Sequence, residues 1–151
     1  FLAKQQQVEL NHSVPETTIR VTGESVAVEQ AVSNVIYNAV AYNRPGGHVA
    51  VLLEPIDAMR FILRVTDDGP GVSDEELTRL SERHYRGDHA RSRSQGGGLG
   101  LNIAERVSQM HGWSMTIAAA DSGGLEVAFS GACDRTEQAT DAPTQALGTS
   151  S

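Results

Sequence analysis

The stretch Gly96-Gly97-Gly98-Leu99-Gly100-Leu101 constrains this chain more than any other, because it is a glycine run leading straight into the helical pattern LNIAERVSQM. Glycine weakens helices and strands, so a cluster marks backbone that must turn tightly or approach something closely. The N–H groups at a helix start have no partner within the helix and hold anions well. The run predicts a helix through about Met110 with an anion-accepting start. It is not the dinucleotide fingerprint, since from Gly96 the third glycine would fall at position 101, which is leucine. Nor is it a Walker loop, because Gly-Lys-Ser/Thr occurs nowhere in the chain.

Two further islands precede it. Glu24 to Asn43 reads as a helix, with Val28, Val32, Val35, Ile36 and Ala39 on one broad face. Asn34 and Asn38 are four apart and stack on the opposite face. Asparagine is a poor helix former because its amide competes for backbone groups, so two in one line point to a use beyond solvation. Arg44-Pro45-Gly46-Gly47 ends that helix. His48–Glu54 and Met59–Thr66 follow as strands around Pro55-Ile56-Asp57, feeding the second island, Asp67-Asp68-Gly69-Pro70-Gly71-Val72. Two glycines around a proline make a turn that lets a ligand reach the backbone. A carboxylate there can accept from an exocyclic amine such as that of adenine. Ordinary β-turns favour the same residues, so this motif alone decides little.

Ser73 with Glu76 makes a capping box for a short helix, Asp74–Arg83, docked through Leu77 and Leu80. From Arg83 to Arg93 there are four Arg, two His and one acid, in a chain of net charge −7. Such a basic segment without apolar period, continuing to Gln95, reads as a structureless loop able to close on polyphosphate through arginine forks. Elsewhere, Val8–Leu10 and Thr17–Val21 are strand candidates around Pro15. Trp113–Ala119 and Leu125–Ser130 pair across Asp121-Ser122-Gly123-Gly124, and His111-Gly112 ends the preceding helix, with His111 structural. From Ala132 onward almost no large apolar residue occurs, and the composition reads as a disordered tail over 132–151.

The length, 151 residues, suits one domain, placed at 1–131. The acidic balance argues against non-specific nucleic-acid binding. A single cysteine, Cys133, excludes an internal disulfide and a cysteine-rich zinc site. No apolar run approaches the ~18 residues of a membrane span, so no membrane contact by this domain is expected. The chain begins at Phe1 rather than Met, which leads us to expect a piece of a longer protein.

The order Asn…Asn-Ala on a helix, Asp-x-Gly-x-Gly after a strand, a variable loop and Gly-x-Gly-Leu-Gly-Leu into a helix resembles the Bergerat-fold (GHKL) ATPases. Over roughly residues 8–130 the chain looks most like the ATP-binding catalytic domain of bacterial sensor histidine kinases. The resemblance implies an α/β two-layer sandwich: a mixed, mostly antiparallel sheet of about five strands with helices on one face. It implies ATP and Mg²⁺ as cofactors, with Asn34 and Asn38 in the N box and Asn38 on the metal. Tyr42 would pack by the nucleotide, Asp67 would read the adenine amine, and Gly69 and Gly71 would shape the pocket. Tyr85 and Arg86 match the end of the F box, which makes Arg86 the lid cation. Gly96, Gly98 and Gly100 match the G2 box, with Leu99 and Leu101 anchoring its helix.

By the same resemblance, no catalytic acid or base is expected in this chain, Asn34 and Arg86 only handling phosphate. The γ-phosphoryl acceptor would be a histidine on an upstream dimerisation domain, since no His-Glu-Leu-Arg-Thr-Pro-like motif occurs here. A cognate response regulator, a homodimeric parent and a cytoplasmic location follow as further expectations. Ala41 stands where the family often has lysine, and Ser81 and His84 where the F box has phenylalanines, which weakens lid anchoring. These departures keep open a degenerate, non-catalytic interaction module. A gyrase- or Hsp90-type ATPase ranks below, because the N-box glutamate that would activate water is Asn34 here. A related serine kinase shares the fold.

Overall fold

The computed structural model describes residues 2–86 and 99–137, and within them side chains for 2–80 and 101–134. The elements run α1 (Leu2–Gln6), β1 (Glu9–Ser13), β2 (Thr18–Arg20), α2 (Ser25–Ala41), β3 (His48–Asp57), β4 (Arg60–Asp67), α3 (Asp74–Arg86), α4 (Leu99–His111), β5 (Ser114–Ala119), β6 (Leu125–Ala132) and β7 (Asp134–Glu137). Five strands form one sheet in the order β1-β3-β4-β6-β5. Only β1 and β3 pair in parallel; the other pairings are antiparallel. The mixed, mostly antiparallel sheet expected from the resemblance is therefore present.

The core lies between one sheet face and the helices. Ala31, Val35 and Val40 of α2 and Ala104 and Val107 of α4 meet Val49, Val65, Met115, Val127 and Phe129 of the sheet. Alternation along β4 and β6 sends these residues inward at period two, and α2 supplies them at helical spacing. Val28, Ile36 and Ala39 pack at the edge of the same cluster.

Several boundaries differ from the sequence reading. The helix α1 was not expected, because five residues are too few to show a period. It ends at Gln7, whose φ of 56° is left-handed, and Leu2 and Ala3 pack on the core. Pro55 and Asp57 lie in β3 rather than in the turn, with a register shift between them. Beyond Leu52 this strand is paired to β4 alone, so a proline there disturbs only one ladder. The turn is instead closed by Asp57, whose Oδ1 accepts from Met59 N–H at 2.8 Å. The helix α3 continues to Arg86, so Arg83–Arg86 are helical and not loop. Past Ala132 the backbone is still paired: Cys133 N–H donates to Met59 O at 2.8 Å, and β7 forms a two-stranded antiparallel sheet with β2. Polar composition there conceals a strand, because a strand of a two-stranded ribbon need not alternate apolar and polar residues. Residues 138–151 lie outside the described residues.

Candidate functional site

Asp67 closes β4, where it pairs with Val49. Its Oδ1 accepts from Gly69 N–H at 3.0 Å, which bends the chain back at once. Burial pushes the Asp67 carboxyl above the usual range; backbone N–H donors at Gly69 and Leu125 oppose this, and the Asp68 charge adds to it. No cation offsets this among the described residues. The carboxylate is thus partly desolvated and supported by backbone donors only.

Asp121–Gly124 is more than the hairpin turn that its sequence suggests. The structure sets that turn against Asp67. Ser122 Oγ donates to Asp67 O at 3.0 Å. A Cβ at Gly124 would run into the Asp67 carbonyl and Oδ1, so only glycine allows this approach. Gly71 has φ +67° and a Cβ there would stand 2.5 Å from Gly123 O, so this position needs glycine both for its conformation and for its space. Gly69 is less demanding: an added Cβ would lie 3.1 Å from Asp67 Oδ1 and 3.2 Å from Asn43 Oδ1.

Asn34 and Asn38 sit on α2, but not on its solvated side. Both are half-buried, whereas Ser33 and Tyr37 beside them are exposed. Asn38 Nδ2 is fully buried and has no hydrogen-bond partner among the described residues. A buried amide donor left unpaired costs about 1–3 kcal/mol, so it marks a place where a polar group belongs. Tyr42 caps the C-terminus of α2, its N–H donating to Asn38 O at 3.0 Å, with its ring exposed.

The capping box is formed as expected. Ser73 Oγ accepts from Glu76 N–H at 3.2 Å, and Glu76 Oε2 accepts from Ser73 N–H at 3.0 Å. It starts α3, which carries Tyr85 and Arg86 in its last turn. Leu99 and Gly100 open α4, and Leu101 packs against the core. Gly96 and Gly98 lie outside the described residues.

His111 has a structural role. Nδ1 lies 2.7 Å from Val107 O and Nε2 accepts from Glu24 N–H at 3.1 Å. Glu24 makes no side-chain cap of its own. The imidazole therefore serves the first turn of α2 from the end of α4, stacked beside Trp113 at 4.9 Å. Cys133 is buried, and burial with Asp57 and Asp134 nearby pushes its thiol up.

The α/β sandwich thus carries a half-buried carboxylate at a strand end, a half-buried asparagine on α2 whose amide is unpaired among the described residues, and a helix that follows a glycine run in the sequence. Residues 23–132 match the family described as histidine kinase-, DNA gyrase B-, and HSP90-like ATPase. The chain belongs to that family, as a sensor histidine kinase ATPase domain. It is 35% identical over 128 residues to Sensor protein QseC of Escherichia coli (strain K12), covering 85% of this chain and 27% of that protein. The chain thus spans about a quarter of that relative's length. Among solved structures, a mycobacterial sensor histidine kinase MprB superposes with TM-score 0.70 at 31% identity, over 89% of this chain and 88% of that one. Full-length ShkA, solved in complex with AMPPNP, gives 0.72 at 25% identity, over 91% of this chain and 28% of that one.

Proposed function

We infer that this domain binds Mg·ATP between α2, the Asp67 loop and the start of α4, and presents the γ-phosphoryl group to a histidine on a separate dimerisation domain. The observation that carries the reading is Asp67. A carboxylate that is partly desolvated, held by backbone donors and without a cation among the described residues is suited to a neutral donor such as the adenine amine. Gly69 and Gly71 keep side chains out of the way on one side, and Gly124 on the other.

The donor set fits the metal as well. Mg²⁺ keeps most of its shell from water and phosphate oxygens and needs only one or two protein donors. Among the described residues no group of three or more His, Cys, Asp or Glu is placed to hold an ion. Asn38 would hold the metal through Oδ1, while its buried Nδ2 is a donor suited to a phosphate oxygen. When bound there, Mg²⁺ would supply neutralisation of the phosphate charge. By the family resemblance, Arg86 and the backbone N–H groups of Gly96, Gly98, Gly100 and Leu101 would be the further phosphate contacts, and Asn34 and Tyr42 would complete the nucleotide-binding set. Tyr85 precedes Arg86 in the sequence, and Leu99 with Leu101 would anchor the helix. The chain's contribution to the transfer is positioning and charge neutralisation, with no covalent step of its own.

Full activity then requires the dimerisation domain and acts through a response regulator, in a homodimeric parent whose ATP-binding domain faces the cytoplasm. No helix among the described residues is long and apolar enough to cross a membrane. The test is calorimetric titration of the chain with a non-hydrolysable ATP analogue, with and without Mg²⁺. Magnesium-dependent binding of the analogue is expected, and, in a separate assay with ATP itself, little steady-state turnover. No binding at millimolar nucleotide overturns the reading in favour of a non-catalytic interaction module, and vigorous hydrolysis by the chain alone favours a gyrase-type ATPase.

A further inference from the structure

One group of side chains next to the site is left unused by the nucleotide reading. Asn43 Nδ2, just past the end of α2, donates to His48 O at 3.1 Å and to Asp68 Oδ1 at 3.3 Å. Asp68 Oδ1 also accepts from His48 N–H at 2.6 Å, and its Oδ2 lies 2.9 Å from His48 Nδ1. Arg44 Nη2 donates to Asp68 O at 3.3 Å. The Asn43 amide is wedged between two glycines: a Cβ at Gly47 would collide with it, and one at Gly69 would stand 3.2 Å from its Oδ1. Three segments are knotted together here: the end of α2, the start of β3 and the turn after β4.

The knot adjoins both ends of the candidate site along the chain. Asp68 follows Asp67 directly, and Asn43 lies one turn beyond Asn38, whose carbonyl accepts from Tyr42 N–H. Below it, α2 and β4 pack through apolar residues such as Val35, Val40 and Val65. Apolar contact is non-directional and does not by itself fix how far a helix end stands from a neighbouring turn. Hydrogen bonds with narrow distance and angle limits do. A ligand that touches both Asp67 and Asn38 must match that separation, whereas one that touches Asp67 alone need not.

We propose that Asn43, Asp68 and His48 form a positioning clamp that sets the separation between Asn38 and the Asp67 carboxylate. The clamp thereby sets the preference of the site for a phosphate-bearing adenine nucleotide over the bare nucleoside. This rests on the nucleotide reading above and assigns a role to residues outside the pocket. None of the three is required to touch the ligand.

The experiment compares two ligands on the whole chain and on Asp68→Ala and Asn43→Ala, each at a temperature where circular dichroism shows it folded. A non-hydrolysable ATP analogue with Mg²⁺ is titrated by calorimetry, and adenosine by NMR shift changes. The analogue is expected to lose about tenfold in affinity, while adenosine stays within about twofold. Asp68→Asn keeps an acceptor for His48 N–H and Asn43 and is expected to recover most of the loss. His48→Ala, which keeps the backbone donor, should give a smaller loss in the same direction and serves if Asn43→Ala does not fold. Equal losses for both ligands would mean simple damage to the turn and overturn the clamp, as would no loss for either. If the unmodified chain binds neither ligand, the nucleotide reading itself has failed before any substitution is made, and the clamp's role falls with it.

Discussion

Asp67 and Asp68 are neighbours in sequence and opposites in environment. Asp67 turns toward the interior, where burial raises its carboxyl, and among the described residues backbone N–H groups alone support it. Asp68 turns to the start of β3, where the His48 N–H, above all, holds its carboxyl down to about 2. The His48 ring and the Asn43 amide add to that effect. One carboxylate is costly to the fold as it stands, and the other helps to close it. This contrast separates a residue kept for a ligand from a residue kept for geometry.

The largest test of the contrast is Asp67→Asn. Loss of the charged acceptor is expected to remove measurable binding of the ATP analogue by calorimetry, a fall of about a hundredfold or more. The melting temperature should hold or rise, because a desolvated charge is gone while a carbonyl remains for Gly69 N–H. A stability loss together with the affinity loss would make Asp67 a structural residue and erase the contrast. Next comes Gly124→Ala, whose methyl enters the space of the Asp67 carbonyl and Oδ1. Overpacking of this kind is expected to cost about 1–3 kcal/mol in chemical denaturation and to weaken nucleotide binding with it.

Acid titration sharpens the pair with a smaller effect. Asp68 has a folded value of about 2 against an ordinary carboxyl value of 3.8, so the unfolded chain binds more protons between them. Its stabilisation is complete above 3.8 and is lost as pH falls through 2. Asp67 is raised from 3.8, so there the folded chain binds more protons, and stability declines as pH rises from 3.8 through its folded value. Denaturation midpoints against pH should therefore lose their low-pH rise in Asp68→Asn and their later decline in Asp67→Asn. The smallest effect is a control away from the turn. Buried Cys133, with its thiol pushed up, should alkylate slowly in the folded chain and quickly in denaturant. Fast native labelling would show that the β6 end opens independently of the site.

Much of the fold was legible because its patterns are local. The capping box at Ser73 and Glu76 satisfies donors within four residues, and it formed as read. The strands on either side of Asp67 and the helix that follows the glycines were found from alternation and period. What was missed is non-local or too short. The five-residue α1 and the polar β7 have no period to read, and Pro55 sits in a strand because of what β3 lacks as a partner. The amide line of Asn34 and Asn38 was visible, but its half-buried flank was not, since the helix period locates a face without saying what covers it.

By itself, the sequence determined the family, the sheet-and-helix order and the residue types available at the site. These follow from motifs in which each residue's task is set by its immediate neighbours. Only the tertiary structure decided that Gly124 presses on Asp67, that His111 serves the start of α2 across 87 positions, and that Asn43 and His48 grip Asp68. Those contacts join segments far apart in the chain, and such pairings come into being only when the strands align and the helices pack.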